Sequence, residues 1–298
     1  MVIIYTVCYN TPHFIEHQYN SLKKYVKHGF EYIVFNNTYT NSVISQINID
    51  NNKELIRVCN KLNIKYYHLP KNIFNYVQDN NASLRAGIAI DYSHKLLYND
   101  YGLNHTFFLI DSDAFLITDF DINNFMLNKK ISGRIQMRHG ANDVVKYLTN
   151  QLVIYKPSLF DENIFLNNFS FLPGLVDYSA NCDCGGKIHN MLKTIDMNND
   201  FVNWSNKLFS DKGIHLQNYG GSPSHKEDFD LSYIERLEPN IKALVLNDTA
   251  ILNKEFPFCE IFGNGLDETI LFLHLRAGTN WINYNIDARN KNVFNFFN

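Results

Sequence analysis

Short apolar runs alternate with helically spaced apolar residues along the first hundred residues of the chain. The apolar runs predict strands at 2–8, 30–35 and 64–69. The helical spacing predicts helices between them, at 13–27 and 53–62. Because strands and helices alternate, we expect an α/β fold whose mainly parallel central sheet is flanked by helices.

A third helix and a fourth strand follow with a clearer pattern. Residues 82–97 have apolar side chains four residues apart, which predicts a strong helix. The apolar run from 105 to 117 predicts a buried central strand, and it contains two acids, Asp111 and Asp113. Side chains two residues apart on a strand point the same way, so we expect both carboxylates at one edge of the sheet.

The pattern loosens beyond residue 117. Strands are predicted at 131–137, 152–155 and 242–246, between loops rich in Asn, Gly and Ser. No linker or repeat divides the chain, and a second core would need a clearer run of elements. The sequence therefore predicts a single domain with two halves, 1–117 and 118–298.

Composition narrows the class of protein. At 298 residues, with 45% hydrophobic residues, the chain can build a sizeable core. A formal net charge of −3 and no basic stripe argue against a nucleic-acid partner. Five cysteines without CxxC spacing indicate a reducing compartment. No apolar run approaches the roughly 20 residues of a membrane span, so we expect a cytoplasmic protein with no transmembrane segment.

The two acids have a chemical and a structural interpretation. Paired carboxylates at one sheet edge repel each other unless a cation lies between them, and oxygen ligands suit Mg²⁺ or Mn²⁺. Alternatively, Asp111 caps a helix or closes a turn. In doubly wound sheets, ligands bind at the carboxyl ends of the strands, which would bring Thr6, Tyr9 and Asn36 to the same rim. There Tyr9 could stack a base and Asn36 could hydrogen-bond it; ordinary turn chemistry is the alternative.

Three motifs resemble one enzyme family. Asp111-Ser112-Asp113, after an apolar strand and three βα units, resembles the Asp-x-Asp motif of GT-A (Rossmann-like) nucleotide-sugar-dependent glycosyltransferases. The segment FLPGLVDYSANCDCGGKIHNML, in which Asp183 precedes two glycines, is similar to their acceptor-facing helix start. FLHLRAGTNW, which contains His274, is similar to their C-terminal His motif. The resemblance implies a GT-A fold.

The resemblance also implies a metal site and a donor site. Asp111, Asp113 and His274 would hold Mn²⁺ or Mg²⁺ at the donor diphosphate, and the half 1–117 would bind the nucleotide sugar. Arg85 would contact the donor, although a solvated arginine on the helix face is the alternative. The residues assigned to substrate binding are Thr6, Tyr9, Asn36, Arg85, Asp111, Ser112, Arg276, Gly278, Asn280 and Trp281.

The implied activity is that of a hexosyltransferase. It would move a sugar from a nucleotide diphosphate sugar, with a UDP-sugar as the expected donor, to a hydroxyl of a glycan acceptor. An inverting enzyme also needs a base, for which Asp183 is the first candidate and Asp177 the second; a retaining enzyme does not. Cys184 departs from the family pattern, which has a hydroxyl residue there.

Other classes remain as alternatives. A non-catalytic nucleotide-sugar or glycan-binding protein with a GT-A-like fold would share these motifs. The sequence fits a metal-dependent phosphatase poorly. That class has its acid pair on the first strand and a Thr at the position where this chain has Phe115. A sugar nucleotidyltransferase should open with a glycine-rich loop, and residues 6–12 contain no glycine.

Overall fold

The computed structural model describes residues 1–38, 44–75, 77, 81–139, 144–176, 180–206, 231–254, 257, 259–264, 269–275 and 285–297. Within these ranges, the strands are β1 (Val2–Cys8), β2 (Phe30–Asn36), β3 (Lys65–His68), β4 (Thr106–Ile110), β5 (Ala114–Leu116), β6 (Ile131–Gly133), β7 (Ile135–His139), β8 (Val144–Leu148), β9 (Leu152–Tyr155), β10 (Leu175–Val176), β11 (Ala180–Asn181), β12 (Phe201–Asn206), β13 (Cys259–Asn264) and β14 (Ile270–Leu275). The helices are α1 (Pro12–Tyr25), α2 (Gln46–Leu62), α3 (Ala82–Tyr101), α4 (Ile122–Phe125), α5 (Glu162–Asn168), α6 (His189–Leu192), α7 (Leu231–Glu235), α8 (Pro239–Ile251) and α9 (Ile286–Phe297).

The chain forms two compact units. The first consists of Met1–Pro12, Lys27–Ser112 and Asp121–Asn203, and the second of His13–Val26, Asp113–Phe120 and Trp204–Asn298. Each unit takes segments from both sides of residue 118. The single domain and the separate roles assigned to its halves, 1–117 and 118–298, stay predictions.

The first unit contains a mixed sheet with the strand order β3-β2-β1-β4-β9-β6, and the start of β12 pairs with β6. The first four strands are parallel, whereas β9 runs antiparallel to both β4 and β6. The predicted α/β class is confirmed, but the sheet is mixed instead of mainly parallel. Parallel neighbours need a crossover of about a dozen residues or more, and long helices separate only the first four strands along the chain.

The element predictions succeed where the pattern is clearest. β1 and β9 have the predicted bounds, β2 extends one residue further than predicted, and β3 is one residue shorter at each end. The helix α2 begins earlier than predicted, because Ser45 and Asn48 form a capping box ahead of it. The strand predicted at 242–246 is wrong. These residues lie in α8, where Pro239 occupies the first turn and buried side chains recur at helical spacing.

The core of the first unit is rich in aromatic rings. Tyr5 on β1 and Tyr155 on β9 are fully buried against α3. His94 of α3 is 3% exposed, and its Nε2 lies 2.5 Å from the Tyr5 hydroxyl. Its ring stacks on Phe169, with 5.2 Å between ring centroids. The buried imidazole of His94 therefore packs among aromatic side chains that join β1 and β9 to α3.

The second unit contains the end of β12 followed by β13, β14 and β5, all antiparallel to their neighbours. Its core packs side chains of α1, α8 and α9 with this sheet. A buried ion pair joins α8 to α9, with Arg289 Nε 2.7 Å from Asp248 Oδ1. No helix in the described ranges combines the length and the apolar character needed to cross a membrane.

Candidate functional site

The two predicted acids lie between strands and not within one. The predicted strand 105–117 is two strands, β4 and β5, and the residues from Asp111 to Asp113 form the turn between them. Pairing explains the break, because the ladder of β4 with β9 ends at Ile110 and β5 pairs instead with β14. Strand alternation therefore does not set the directions of the two carboxylates, contrary to the expectation from sequence.

Hydrogen bonds hold the first part of this turn. The backbone N–H of Asp111 donates to the carbonyl of Gln151 at 2.8 Å, and its Oδ1 accepts from the backbone N–H of Ser112 at 2.9 Å. The hydroxyl of Ser112 lies 2.8 Å from that of Thr11. Thr11 was not predicted from the sequence, although it lies two residues after Tyr9.

The second unit places a histidine between two carboxylates. His274 Nε2 lies 3.1 Å from Asp113 Oδ1, and Nδ1 lies 2.7 Å from Glu260 Oε2. Pairing of β13 with β14 puts Glu260 directly opposite His274. Glu260 has no exposed surface, and the other two side chains are each 6% exposed. Such an arrangement orients the ring and holds its Nδ1 as the donor to Glu260.

The two acids beside His274 change its pKa. Burial acts to lower the pKa of His274, but Asp113 and Glu260 outweigh that effect and raise the pKa to about 10. The imidazole is therefore positively charged at neutral pH and balances the buried acids. Since a divalent cation would balance the same charge, the residues fit a metal site.

The donor atoms also fit. In the second unit, Asp113 and His274 each offer one ligand atom, and Asp111 lies two residues before Asp113 in the chain. Two carboxylates with one imidazole suit Mn²⁺ and, through the oxygens, Mg²⁺. Glu260 would act behind the ligands, as a carboxylate that orients a metal-bound histidine. The sequence signal for Glu260 was an acid inside the apolar run 259–262.

Asp183 lies three residues before a short helical segment. The 3₁₀ turn Gly186–Ile188 leads into α6, and Asp183 is exposed just before it. Its Oδ1 accepts from the backbone N–H of Cys184 at 2.7 Å and from the hydroxyl of Ser83. Sequence reasoning did not identify Ser83, which is 100 residues away.

The glycine pair has a packing role. Gly185 has φ +95°, and a Cβ there would lie 1.9 Å from the carbonyl oxygen of Leu148. Only glycine fits that position. Burial raises the pKa of the neighbouring Cys184 thiol, and the charges of Asp183, Asp91 and Asp111 raise it further.

The remaining described residues assigned to substrate binding are mostly engaged within the protein. Thr6 has no exposed surface, and Tyr9 is partly buried. The amide of Asn36 bonds Asn52 at 2.7 Å and accepts from the backbone of residue 38 at 3.0 Å. Arg85 is 6% exposed and lies over the ring of Phe74, 4.5 Å from its centroid, so it is not a solvated surface arginine. Their contact with a substrate stays a prediction.

Several predicted residues cannot be placed. Asp177, Arg276, Gly278, Asn280 and Trp281 lie outside the described residues. The proposed diphosphate contacts and the second candidate base therefore rest on the sequence alone.

Comparisons with known proteins give remote similarities. No family model matches the chain, and no curated protein matches it. Among solved structures, a mannosyltransferase from Pyrobaculum calidifontis, in complex with GDP-Man and Mn²⁺, is similar over 68% of this chain and 54% of its own, at 11% identity and a TM-score of 0.40. The galactosyltransferase LgtC, with donor and acceptor sugar analogues, is similar over 80% and 84%, at 11% identity and a TM-score of 0.39. This chain thus spans about half the length of the mannosyltransferase, and similarities at this level carry no conclusion about function.

Proposed function

We propose that this protein is a metal-dependent glycosyltransferase of the GT-A class, a hexosyltransferase that transfers a sugar from a UDP-sugar to a hydroxyl of a glycan. The observation that carries the proposal is the chain of contacts from Asp113 through His274 to Glu260. A buried histidine held between two acids, next to an Asp-x-Asp turn, fits a cation site in which one acid orients the imidazole. A cytoplasmic location stays a prediction.

The site residues have distinct tasks in this proposal. A bound Mn²⁺ or Mg²⁺ would stabilise the negative charge that grows on the diphosphate as the glycosidic bond breaks. Asp111 and Asp113 supply oxygen ligands, and His274 supplies Nε2. Glu260 accepts the hydrogen bond from Nδ1 and so keeps Nε2 directed at Asp113. Arg276, on the same C-terminal motif, is assigned to the diphosphate.

Asp183 is assigned to the acceptor. In an inverting reaction a carboxylate takes the proton of the attacking hydroxyl. The hydrogen bonds from Ser83 and from the Cys184 backbone both go to Oδ1 of Asp183. We assign the other oxygen, Oδ2, to the acceptor proton. The exposure of Asp183 is compatible with contact to a bulky glycan.

Donor binding and donor cleavage test the proposed function together. A panel of nucleotide sugars should raise the Tm of the protein only in the presence of Mn²⁺ or Mg²⁺, with the largest shift for a UDP-sugar. Slow release of UDP without acceptor would identify an enzyme. A shift without UDP release would favour the non-catalytic binding protein, and no shift with any nucleotide sugar would contradict both.

Replacement of Asp183 with asparagine should separate binding from transfer. We expect Asp183→Asn to lower the rate of transfer by about 100-fold or more, because a neutral amide cannot take the acceptor proton. The metal-dependent Tm shift with the donor should be unchanged. Initial rates with saturating donor and acceptor provide the measurement. Transfer at the wild-type rate would remove Asp183 as the base.

Replacement of Glu260 with glutamine should weaken the metal site without removing a ligand. We expect Glu260→Gln to lower the affinity for Mn²⁺ by about 10- to 100-fold, because His274 loses the carboxylate that orients it. Titration calorimetry with Mn²⁺ measures this directly. Glu235→Gln, at a side chain 72% exposed in a surface ion pair, is the matched control. Equal Mn²⁺ affinity in both variants would exclude the orienting role of Glu260.

A further inference from the structure

One face of α3 carries three residues that are each four positions apart. Ser83, Gly87 and Asp91 lie at i, i+4 and i+8, so they share one side of the helix. All three contact the same part of the chain, residues 170–187. That part includes Asp183, the residue assigned to the acceptor.

Asp91 makes the strongest of these contacts. Its Oδ2 accepts from the hydroxyl of Ser170 at 2.6 Å, and its Oδ1 accepts from the backbone N–H of Phe171 at 2.7 Å. One turn earlier, Gly87 lets the helix approach the same backbone, because a Cβ there would lie 2.5 Å from the carbonyl oxygen of Phe171. The helix thus holds the backbone at 170–171 by two hydrogen bonds and one close approach.

Further hydrogen bonds join this backbone to residues 183–187, which we call the Asp183 segment. The carbonyl of Phe171 accepts from the backbone N–H of Gly185 at 2.7 Å, and that of Leu172 accepts from Lys187 at 3.1 Å. The carboxylate of Asp183 then returns to α3 through the hydroxyl of Ser83. The segment is therefore held to the helix at both ends of the face.

We propose that this face of α3, formed by Ser83, Gly87 and Asp91, holds the Asp183 segment in place, and that Asp91 is a positioning residue for Asp183. The proposal rests on the proposed function, since it assigns the purpose of the placement to glycan transfer. Asp91 binds the backbone N–H of Phe171, whose carbonyl in turn accepts from Gly185, whereas Asp183 is exposed. Placement matters for a base because a displacement of about 1 Å can cost 100-fold in rate.

The test compares Asp91→Ala with Asp91→Asn. Asparagine keeps an acceptor for the Phe171 N–H and can donate to the Ser170 hydroxyl, so it preserves the geometry without the charge. We expect Asp91→Ala to lower kcat for transfer by about 10- to 100-fold, with KM for the donor unchanged, and Asp91→Asn to stay within about threefold of wild type. Asp100→Ala is the control, since Asp100 lies on the same helix in an exposed ion pair with Lys65.

Hydrogen–deuterium exchange provides a readout that needs no activity. Amides at 170–174 and 183–188 should exchange faster in Asp91→Ala, while β1 and β4 keep their protection. If Asp91→Ala does not fold, Ser170→Ala replaces it, with a smaller change in the same direction. Wild-type rates and exchange in Asp91→Ala would overturn the proposal.

Two further results discriminate among explanations. Asp91→Asn as slow as Asp91→Ala, with wild-type exchange, would show that charge and not placement matters, which also overturns the proposal. A wild-type protein that releases no sugar from any donor would contradict the proposed function, and the exchange data would still decide whether α3 holds the segment.

Discussion

Replacing His274 with alanine should lower metal-dependent release of UDP from a UDP-sugar by more than about 100-fold. The substitution removes the imidazole that we assign as a ligand, and it leaves Asp113 and Glu260 facing each other without the charge between them. The measurement is the rate of UDP release at saturating donor, over a range of Mn²⁺ concentrations. Higher Mn²⁺ should restore only part of the rate.

Controls distinguish a lost ligand from a lost fold. Breaking a buried ion pair can cost about 3–5 kcal/mol of stability, so the Tm of each variant is measured as well. His274→Gln keeps a donor near Glu260 and should fold better than His274→Ala, with similarly low activity. His28→Ala, which removes a surface histidine bonded to Asp121, should act like wild type. UDP release at the wild-type rate in either His274 variant would contradict the metal assignment.

Acid should destabilise the protein through His94. Burial lowers the pKa of His94 to about 3, whereas its unfolded value is near 6.5. Between these values the unfolded chain binds a proton that the folded protein does not. The stability that His94 contributes is therefore complete above pH 6.5, and it falls by about 1.4 kcal/mol per pH unit as the pH drops toward 3.

The variant His94→Gln isolates this effect. Glutamine does not titrate, so the free energy of unfolding of the variant should fall less steeply with acid, by about 2.3 kcal/mol between pH 6.5 and 4.5. Urea unfolding at several pH values measures the two slopes. At pH 7.5 both side chains are neutral, so the difference there reports the lost contacts of the imidazole, among them the hydrogen bond to Tyr5 and the stacking on Phe169. Parallel pH profiles for the two proteins would disprove the assignment to His94.

The early strands could be predicted because a buried strand is a run of apolar residues that is visible in the local sequence. β1 has six of its seven residues buried, and its apolar run is visible without any knowledge of its partners. The same rule failed at 242–246, since a short apolar run does not by itself distinguish a strand from one turn of a buried helix. Pro239 at the helix start was the signal that favoured a helix.

The candidate site was only partly visible in the sequence. His274 was identified through the resemblance of FLHLRAGTNW to a family motif, whereas Asp111 and Asp113 stood out because charged side chains beside apolar runs are uncommon. Glu260 met the same criterion, but its role depends on the register that places it opposite His274. Ser83 and Asp91 gave no signal, because a polar residue on a helix is ordinary until its partner is known.

The sequence by itself determined the α/β class, the first strands and helices, and the residue types for a metal site. These follow from local periodicity and side-chain chemistry, which need only neighbouring residues. The tertiary structure alone decided that the acids lie in a turn, that Glu260 orients His274, and that α3 holds the Asp183 segment. Each of these is a hydrogen bond or strand pairing between distant parts of the chain, and it depends on which surfaces meet when the apolar faces are buried.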